Sequence, residues 1–336
     1  MTLQIGLLGD VMLGRRVGEA LLSGAEPAEL WDPQLRSLAG SLDLVICNLE
    51  CCLSARGAPT TLIADKPFFF RAPPQAVAAL EAIGAGVVGL ANNHILDFGE
   101  DAGADTPALL AAHGIATAGA GIDVRAARAP AIVERGGRRI GVLALADHPG
   151  RYAASAERFG IAYARLRDGP PRWLLHDVAA LRRGCDIVVV FIHWGPNMST
   201  RPAAWQRAVA AALRAAGADL IAGHSAHVFH GVGFEQRRPV LYDLGGALDD
   251  YGTDPLLRND LGVLAIWRPD EVEGGLELVG LTLDYCHTRL AAGEEAAWIA
   301  ARLRRACSEL GSEVESVAAN RYRIHPRRPR PEDPGG

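Results

Sequence analysis

The chain has 336 residues, 49% of them hydrophobic, enough to bury a substantial core in one large α/β domain or two smaller ones. Its formal net charge of −5 argues against electrostatic binding to nucleic acid or anionic lipid. No run approaches the ~18 apolar residues of a membrane span, no leader is recognisable at the N-terminus, and the six cysteines make no CxxC pair, so a soluble protein of the reducing cytoplasm is expected.

In chain order, a strand over 3–8 runs into Gly9-Asp10. A carboxylate closing a buried strand either caps a turn or ligates a hard or borderline cation. Arg15 follows, a solvated helix residue or a contact for an anionic substrate. A helix over 33–39 leads to a strand over 42–47 that ends at Asn48-Leu49-Glu50. Residues two apart in extended backbone face one side, so Asn48 and Glu50 share a surface. The polar stretch 51–65 is long enough to contact a substrate. Cys51 and Cys52 beside it are either reactive thiols or buried ones. Arg71 suits an anion clamp, since its fork matches phosphate or carboxylate, and Phe68, Phe69 and Phe70 read as core.

A helix over 74–83 and an apolar strand over 85–90 deliver the chain to Asn92-Asn93-His94, with Asp97 three residues on. In open α/β sheets ligands bind outside the carboxyl ends of strands, and an amide, an imidazole and a carboxylate cluster there. Next come a helix over 106–113, a strand over 115–118 and a turn at 119–121 that lacks the third glycine of a dinucleotide fingerprint. A hairpin follows over 129–133 and 138–146, then an irregular insertion over 151–171. A helix over 172–183 precedes an apolar strand over 186–192 that closes on His193. A helix over 202–216 precedes a strand over 218–222 that closes on Gly223-His224-Ser225-Ala226-His227, with His230 just beyond. Three histidines in seven residues are the strongest local metal signal in the chain. A hairpin over 231–242 and strands over 261–267 and 276–285 complete the β content. Residues 1–290 are expected to form one domain, 291–320 a C-terminal helix packed on it, and 321–336 a loose Arg/Pro-rich tail.

Five strand ends therefore carry Asp10, Asn48 with Glu50, Asn93 with His94, His193, and His224 with His227. Imidazole, carboxylate and amide ligands without a thiolate suit Mn, Fe or Zn. They are too many for one tetrahedral ion, which points to two divalent metal ions. Such a pair polarises a phosphoryl oxygen and lowers the pKa of a water to about 7. His94, next to Asn93, is then the natural proton donor to a leaving oxygen.

These motifs, Gly9-Asp10-Val-Met-Leu-Gly-Arg15, Asn48-Leu-Glu50, Ala91-Asn-Asn-His-Ile-Leu-Asp97, His193-Trp-Gly195 and Gly223-His-Ser-Ala-His227, occur in an order that resembles the CapA-type poly-gamma-glutamate capsule-synthesis proteins of the calcineurin-like metallophosphoesterase superfamily. The resemblance covers roughly residues 3–250. It implies a four-layer α/β/β/α sandwich with two mixed β-sheets and a dinuclear centre between strand ends. Asp10 would serve one metal and Glu50 would bridge; Asn93, His193 and His224 would hold the second, and His227 would return to the first. His94 and Asp97 would be catalytic, and Asn48, Arg15, Arg71 and His230 would contact a small anionic substrate. The superfamily's Asp-x-His opening is here Asp10-Val-Met12. Two functions follow as expectations: a metal-dependent hydrolase of phosphoester-like substrates, or a biosynthetic protein for poly-gamma-glutamate or a related amide-linked product, working with a partner enzyme.

Overall fold

A computed structural model describes residues 2–271 and 275–327. Two large sheets, both mixed, face each other. The ten-stranded sheet carries Ile5–Val11, Leu44–Leu49, Ala85–Gly89 and Ala116–Ala118 as parallel neighbours, and Leu261–Trp267 continues it antiparallel on the other side of the first strand. In the six-stranded sheet Arg138–Ala146, Ile187–His193, Leu220–His224 and Arg238–Leu241 run parallel, with the antiparallel edge strands Ala131–Arg135 and Val232–Glu235.

The two-residue period of a strand sorts side chains into layers. Ile5, Leu7, Leu44, Ile46 and Val87 meet Val189, Phe191, Leu220 and Ala222 in the core between the sheets. Their sequence neighbours Leu8, Val45, Cys47 and Val88 turn the other way, onto helices Arg15–Leu22, Pro33–Gly40, Val77–Ala82 and Gly99–Ala112. Val188, Val190 and Ile192 likewise turn outward onto helices Arg172–Gly184 and Ala204–Ala216. The result is the expected four-layer α/β/β/α sandwich. Among the described residues no helix is long and apolar enough to cross a membrane.

The same alternation aims the site. Asn48 continues the inward face of Leu44 and Ile46, His193 that of Val189 and Phe191, and His224 that of Leu220 and Ala222. At the top of the inter-sheet core the apolar residues simply give way to polar ones.

Several boundaries differ from expectation in ways that matter. The first strand reaches Val11, so Asp10 lies within it, paired with Asn48 on one side and with Gly246 of a short strand, Gly246–Leu248, on the other. Gly9 beside it accepts no side chain, because a Cβ there would stand 1.9 Å from the Gly245 carbonyl oxygen. The helix expected from 106 begins at Gly99, with Glu100 and Asp101 in its first turn, where the helix dipole favours acids. The tail expected to be loose from 321 instead opens as a strand, Arg321–Pro326, paired with Leu276–Leu283 and Ser312–Ala318. Tyr322 and Ile324 alternate into the core, and the Tyr322 hydroxyl donates to the Ala296 carbonyl (2.7 Å). Residues 328–336 of that expected tail lie outside the described residues.

Candidate metal centre

Asp10 stands at the middle of the cluster. Its Oδ1 accepts from Asn48 Nδ2 (2.8 Å) and lies 2.9 Å from His224 Nδ1; its Oδ2 accepts from the Ser225 amide (3.0 Å) and lies 3.3 Å from His227 Nδ1. His193 Nδ1 is 3.0 Å from His224 Nδ1 and 3.8 Å from Asp10 Oδ1. His227 Nε2 is 3.9 Å from Glu50 Oε1. Two ligand groups result, Asp10–His193–His224 and Asp10–Glu50–His227, each with its ligand atoms within 4.8 Å of one another and every residue buried. Asp10 thus belongs to both groups, where the resemblance assigned the shared position to Glu50: its two oxygens point to different histidines.

The three-residue spacing of His224 and His227 works because Ser225 and His227 adopt positive φ (114° and 58°), a backbone that bulky residues hold only when surroundings impose it. Here Asp10 takes the Ser225 amide, and Asp243, which the sequence reading passed over, accepts from the amides of Ala226 and Gly245 (both 2.9 Å).

Electrostatics mark the pocket as short of positive charge. Burial, helped by Asp10, pushes the Glu50 carboxyl well above its usual range. Burial pushes Asp243 up to about 7 and Asp249 up to about 6. Burial alone would lower His227, but the carboxylates of Glu50 and Asp10 outweigh it and carry the imidazole to about 10. Burial would also raise Asp10, yet the hydrogen bond and charge of His224 hold it well below the carboxylate range. Burial holds His193 well below the usual imidazole value, which leaves it neutral, the form that ligates metals. Glu50 Oε1, Asn93 Oδ1 and His193 Nε2 are buried and have no hydrogen-bond partner among the described residues. Buried polar atoms are normally hydrogen-bonded, so these three, beside excess carboxylate, fit a site for divalent cations.

The segment after Gly89 supplies the second half. Asn92 is a scaffold residue: its Oδ1 accepts from the amides of His94 (2.9 Å) and Ile95 (3.0 Å), and its Nδ2 donates to Asn48 Oδ1 and the Leu49 carbonyl. His94 stacks on Phe70 with ring centroids 3.9 Å apart, and its Nδ1 is 2.6 Å from Asp97 Oδ2. Asp97 is fully buried and also accepts from the Phe70 amide (2.7 Å) and the Tyr152 hydroxyl (3.1 Å). The only lysine of the chain, Lys66, lies 3.2 Å from Asp97 Oδ1 and donates to the Asn93 carbonyl (2.8 Å).

Of the residues expected to meet substrate, Arg15 does line a pocket of about 320 Å³, with Phe68, Phe70, His94, His227 and Tyr251. Its Nε lies 3.2 Å from Asp250. Phe68, expected in the core, is half exposed and belongs to this pocket wall. Arg71 does not join it: its guanidinium donates to the carbonyls of Arg56 and Gly57 and packs over Phe98. Asn48 is buried beneath Asp10 and orients that carboxylate. His230 is buried against Ser199, 3.0 Å from its carbonyl oxygen, away from the pocket. Cys51 and Cys52 are buried too, and burial pushes Cys52 up to about 12 and Cys51 well above its usual value, so neither is a reactive thiolate. Tyr251, whose hydroxyl donates to Glu50 Oε2 (3.2 Å), went unnoticed in sequence. The Asp249-Asp250-Tyr251 run beyond the last short strand was the available signal.

Known proteins bear on this arrangement. A probable polyglutamine synthesis accessory protein of Mycobacterium tuberculosis is 30% identical over 95% of this chain and 94% of its own length. The PGA biosynthesis protein CapA of Bacillus subtilis is 27% identical over 74% of this chain and 64% of its own. Among solved structures, the Haemophilus influenzae NAD nucleotidase aligns with 88% of this chain and 53% of its own at 12% identity and a TM-score of 0.41. The sequence model of the bacterial capsule synthesis protein PGA_cap matches residues 4–251. That match takes in Asp10, Glu50, Asn93, His193, His224 and His227, and the chain belongs to the PGA_cap family of bacterial capsule synthesis proteins.

Proposed function

We propose that the chain is a metal-dependent hydrolase acting on a small anionic, phosphoester-like substrate. The observation that carries this reading is the convergence of partnerless buried ligand atoms on Glu50, Asn93 and His193 around a doubly used Asp10. Asp10, His193 and His224, with Asn93, would hold one divalent ion, and Asp10, Glu50 and His227 a second. Bound there, the pair supplies Lewis acidity and a water acidic enough to ionise near neutrality.

The chain's own residues do the rest. Arg15 offers its guanidinium to the substrate's negative charge beside the aromatic wall. His94, with Nδ1 held by Asp97, keeps Nε2 for the leaving oxygen and is the proposed proton donor. Burial pulls its imidazole down to about 4 against the pull of Asp97, and a substrate's negative charge would add to that of Asp97 in favouring the protonated donor. Asp97 fixes the ring through bonds to two separate elements, the Phe70 amide and the Tyr152 hydroxyl. The test is turnover of aryl phosphate mono- and diesters by manganese-loaded protein. Loss in His94→Ala and His193→Ala supports the reading; a metal-free wild type matched by both variants refutes it.

A second reading draws on the relatives' names: the site serves synthesis of a polyglutamate or related amide-linked product beside a partner ligase. Activity only in that ligase's presence would favour it. Six free cysteines, five of them buried, accord with a reducing compartment for either role.

A further inference from the structure

The pocket of Arg15 and Phe68 is adjoined by another cavity at the candidate metal centre. The other, of about 560 Å³, is lined by Asn93, Asp147, His148, Tyr163, Arg165 and Arg167, and it meets the first at Asn197, which lines both. One candidate ligand faces each side, His227 the first and Asn93 the second. The walls differ in character. The first is aromatic, with Phe68, Phe70 and Tyr251 around Arg15; the second is mixed, with His148, Arg165 and Arg167 beside Asp147, Leu166 and Pro196.

His148 is built into the second cavity rather than resting on its rim. Its Nδ1 is tightly hydrogen-bonded to Asp147 Oδ1, and Asp147 Oδ2 accepts from the Gly195 amide (3.2 Å), two residues past His193. The His148 ring lies 5.1 Å from that of His193, centroid to centroid. Its Nε2 has no hydrogen-bond partner among the described residues, and its side chain is about one-third exposed (35%). A histidine oriented by a carboxylate, with one nitrogen left to the cavity, is arranged as a ligand contact. Arg165 and Arg167 on the same wall are exposed; Arg165 pairs with Asp168 at 2.9 Å, a surface pair that a bound anion displaces at little cost.

We propose that His148, Arg165 and Arg167 form a second substrate subsite that holds an anionic group on the far side of the reacting bond from the aromatic pocket. The substrate is then one with groups on both sides of that bond, a diester-like or internal linkage rather than a terminal monoester. This rests on the hydrolytic reading above for the position of the reacting bond, but the subsite itself is a binding claim.

Two probes separate these claims: methyl p-nitrophenyl phosphate and carboxymethyl p-nitrophenyl phosphate, which differ only by a carboxylate on the second arm. Manganese-loaded wild type is expected to favour the carboxymethyl ester at least tenfold in kcat/KM, chiefly through KM. The ratio should fall towards one in His148→Ala and in Arg165→Ala/Arg167→Ala, the latter altering only exposed side chains, with His148→Gln intermediate. A ratio near one in wild type, or one retained in both variants, overturns the subsite. If wild type hydrolyses neither ester, the hydrolytic reading fails, and calorimetric titration with the intact carboxymethyl ester decides the subsite alone. Binding at least tenfold tighter to wild type than to the double-arginine variant supports it, and equal binding overturns it.

Discussion

Replacing Asp97 by asparagine keeps the volume of a fully buried side chain and removes its charge. Four donors converge on that carboxylate: the Phe70 amide, His94 Nδ1, the Tyr152 hydroxyl and Lys66 Nζ. An asparagine can accept at one oxygen only, so its amide must face either the Lys66 and Tyr152 donors or those of Phe70 and His94. The lysine side chain is 7% exposed and cannot recover its hydration. Removing one partner of a buried ion pair costs about 3–5 kcal/mol, and an unsatisfied buried donor about 1–3 kcal/mol. These overlap, so Asp97→Asn is expected to lower stability by about 3–5 kcal/mol, a large part of the ~5–15 kcal/mol typical of a folded protein. The measurement is urea unfolding followed by tryptophan fluorescence, in chelator so that metal binding does not contribute. Lys66→Met and the Lys66→Met/Asp97→Asn pair complete a double-mutant cycle. The pair should be less damaging than the sum of the singles by at least ~1.5 kcal/mol, because the double variant strands no charge. A cost below ~1 kcal/mol for Asp97→Asn, or simple additivity, refutes the account of Asp97 as the hub of this half of the site.

Three further outcomes are expected. Burial holds His230 at about 4, with Arg302 the cation that also disfavours its charged form; since the unfolded chain binds this proton at about 6.5, stability is fully present above 6.5 and is lost as pH falls towards 4. His230→Gln should therefore flatten acid destabilisation in that window by up to about 3 kcal/mol, and an unchanged pH profile would count against it. Chelation should lower the unfolding midpoint and abolish hydrolysis, with manganese restoring both, while elemental analysis finds less metal in Glu50→Gln and His193→Ala; wild-type metal content in both variants would sink the ligand assignment. Gly223→Ala places a Cβ 2.2 Å from both the Tyr242 carbonyl oxygen and Trp194 Nε1. That breaks the bond between those two atoms (2.8 Å) and should cost at least ~1–3 kcal/mol, read by thermal melting; a wild-type melting temperature would show that the strand adjusts freely.

Much of the site was legible because His193 and His224 each close an uninterrupted apolar run. Ile187–His193 and Leu220–His224 need no partner information to be read as buried strands, and period-two alternation then aims His193 and His224 at the side their apolar predecessors face. The Arg/Pro-rich composition near the C-terminus hid the alternation of Tyr322 and Ile324, so a strand paired on both sides read as a tail. Nothing local to Lys66 reveals the carboxylate 31 positions later at Asp97.

Local chemistry, then, determined which residue types close each strand and, through hydrophobic periodicity, which stretches are strands and helices, while the two-sheet sandwich that collects them was what the family resemblance implied. It had no means of deciding that Asp10 rather than Glu50 sits between the two ligand groups, that Arg71 turns away to the carbonyls of Arg56 and Gly57, or that His148 opens a second cavity beside His193. Those outcomes depend on distances between segments as far apart in sequence as Asp10 and His224, 214 positions. Tertiary packing sets such distances through the burial of every element at once, and no single stretch of sequence carries them.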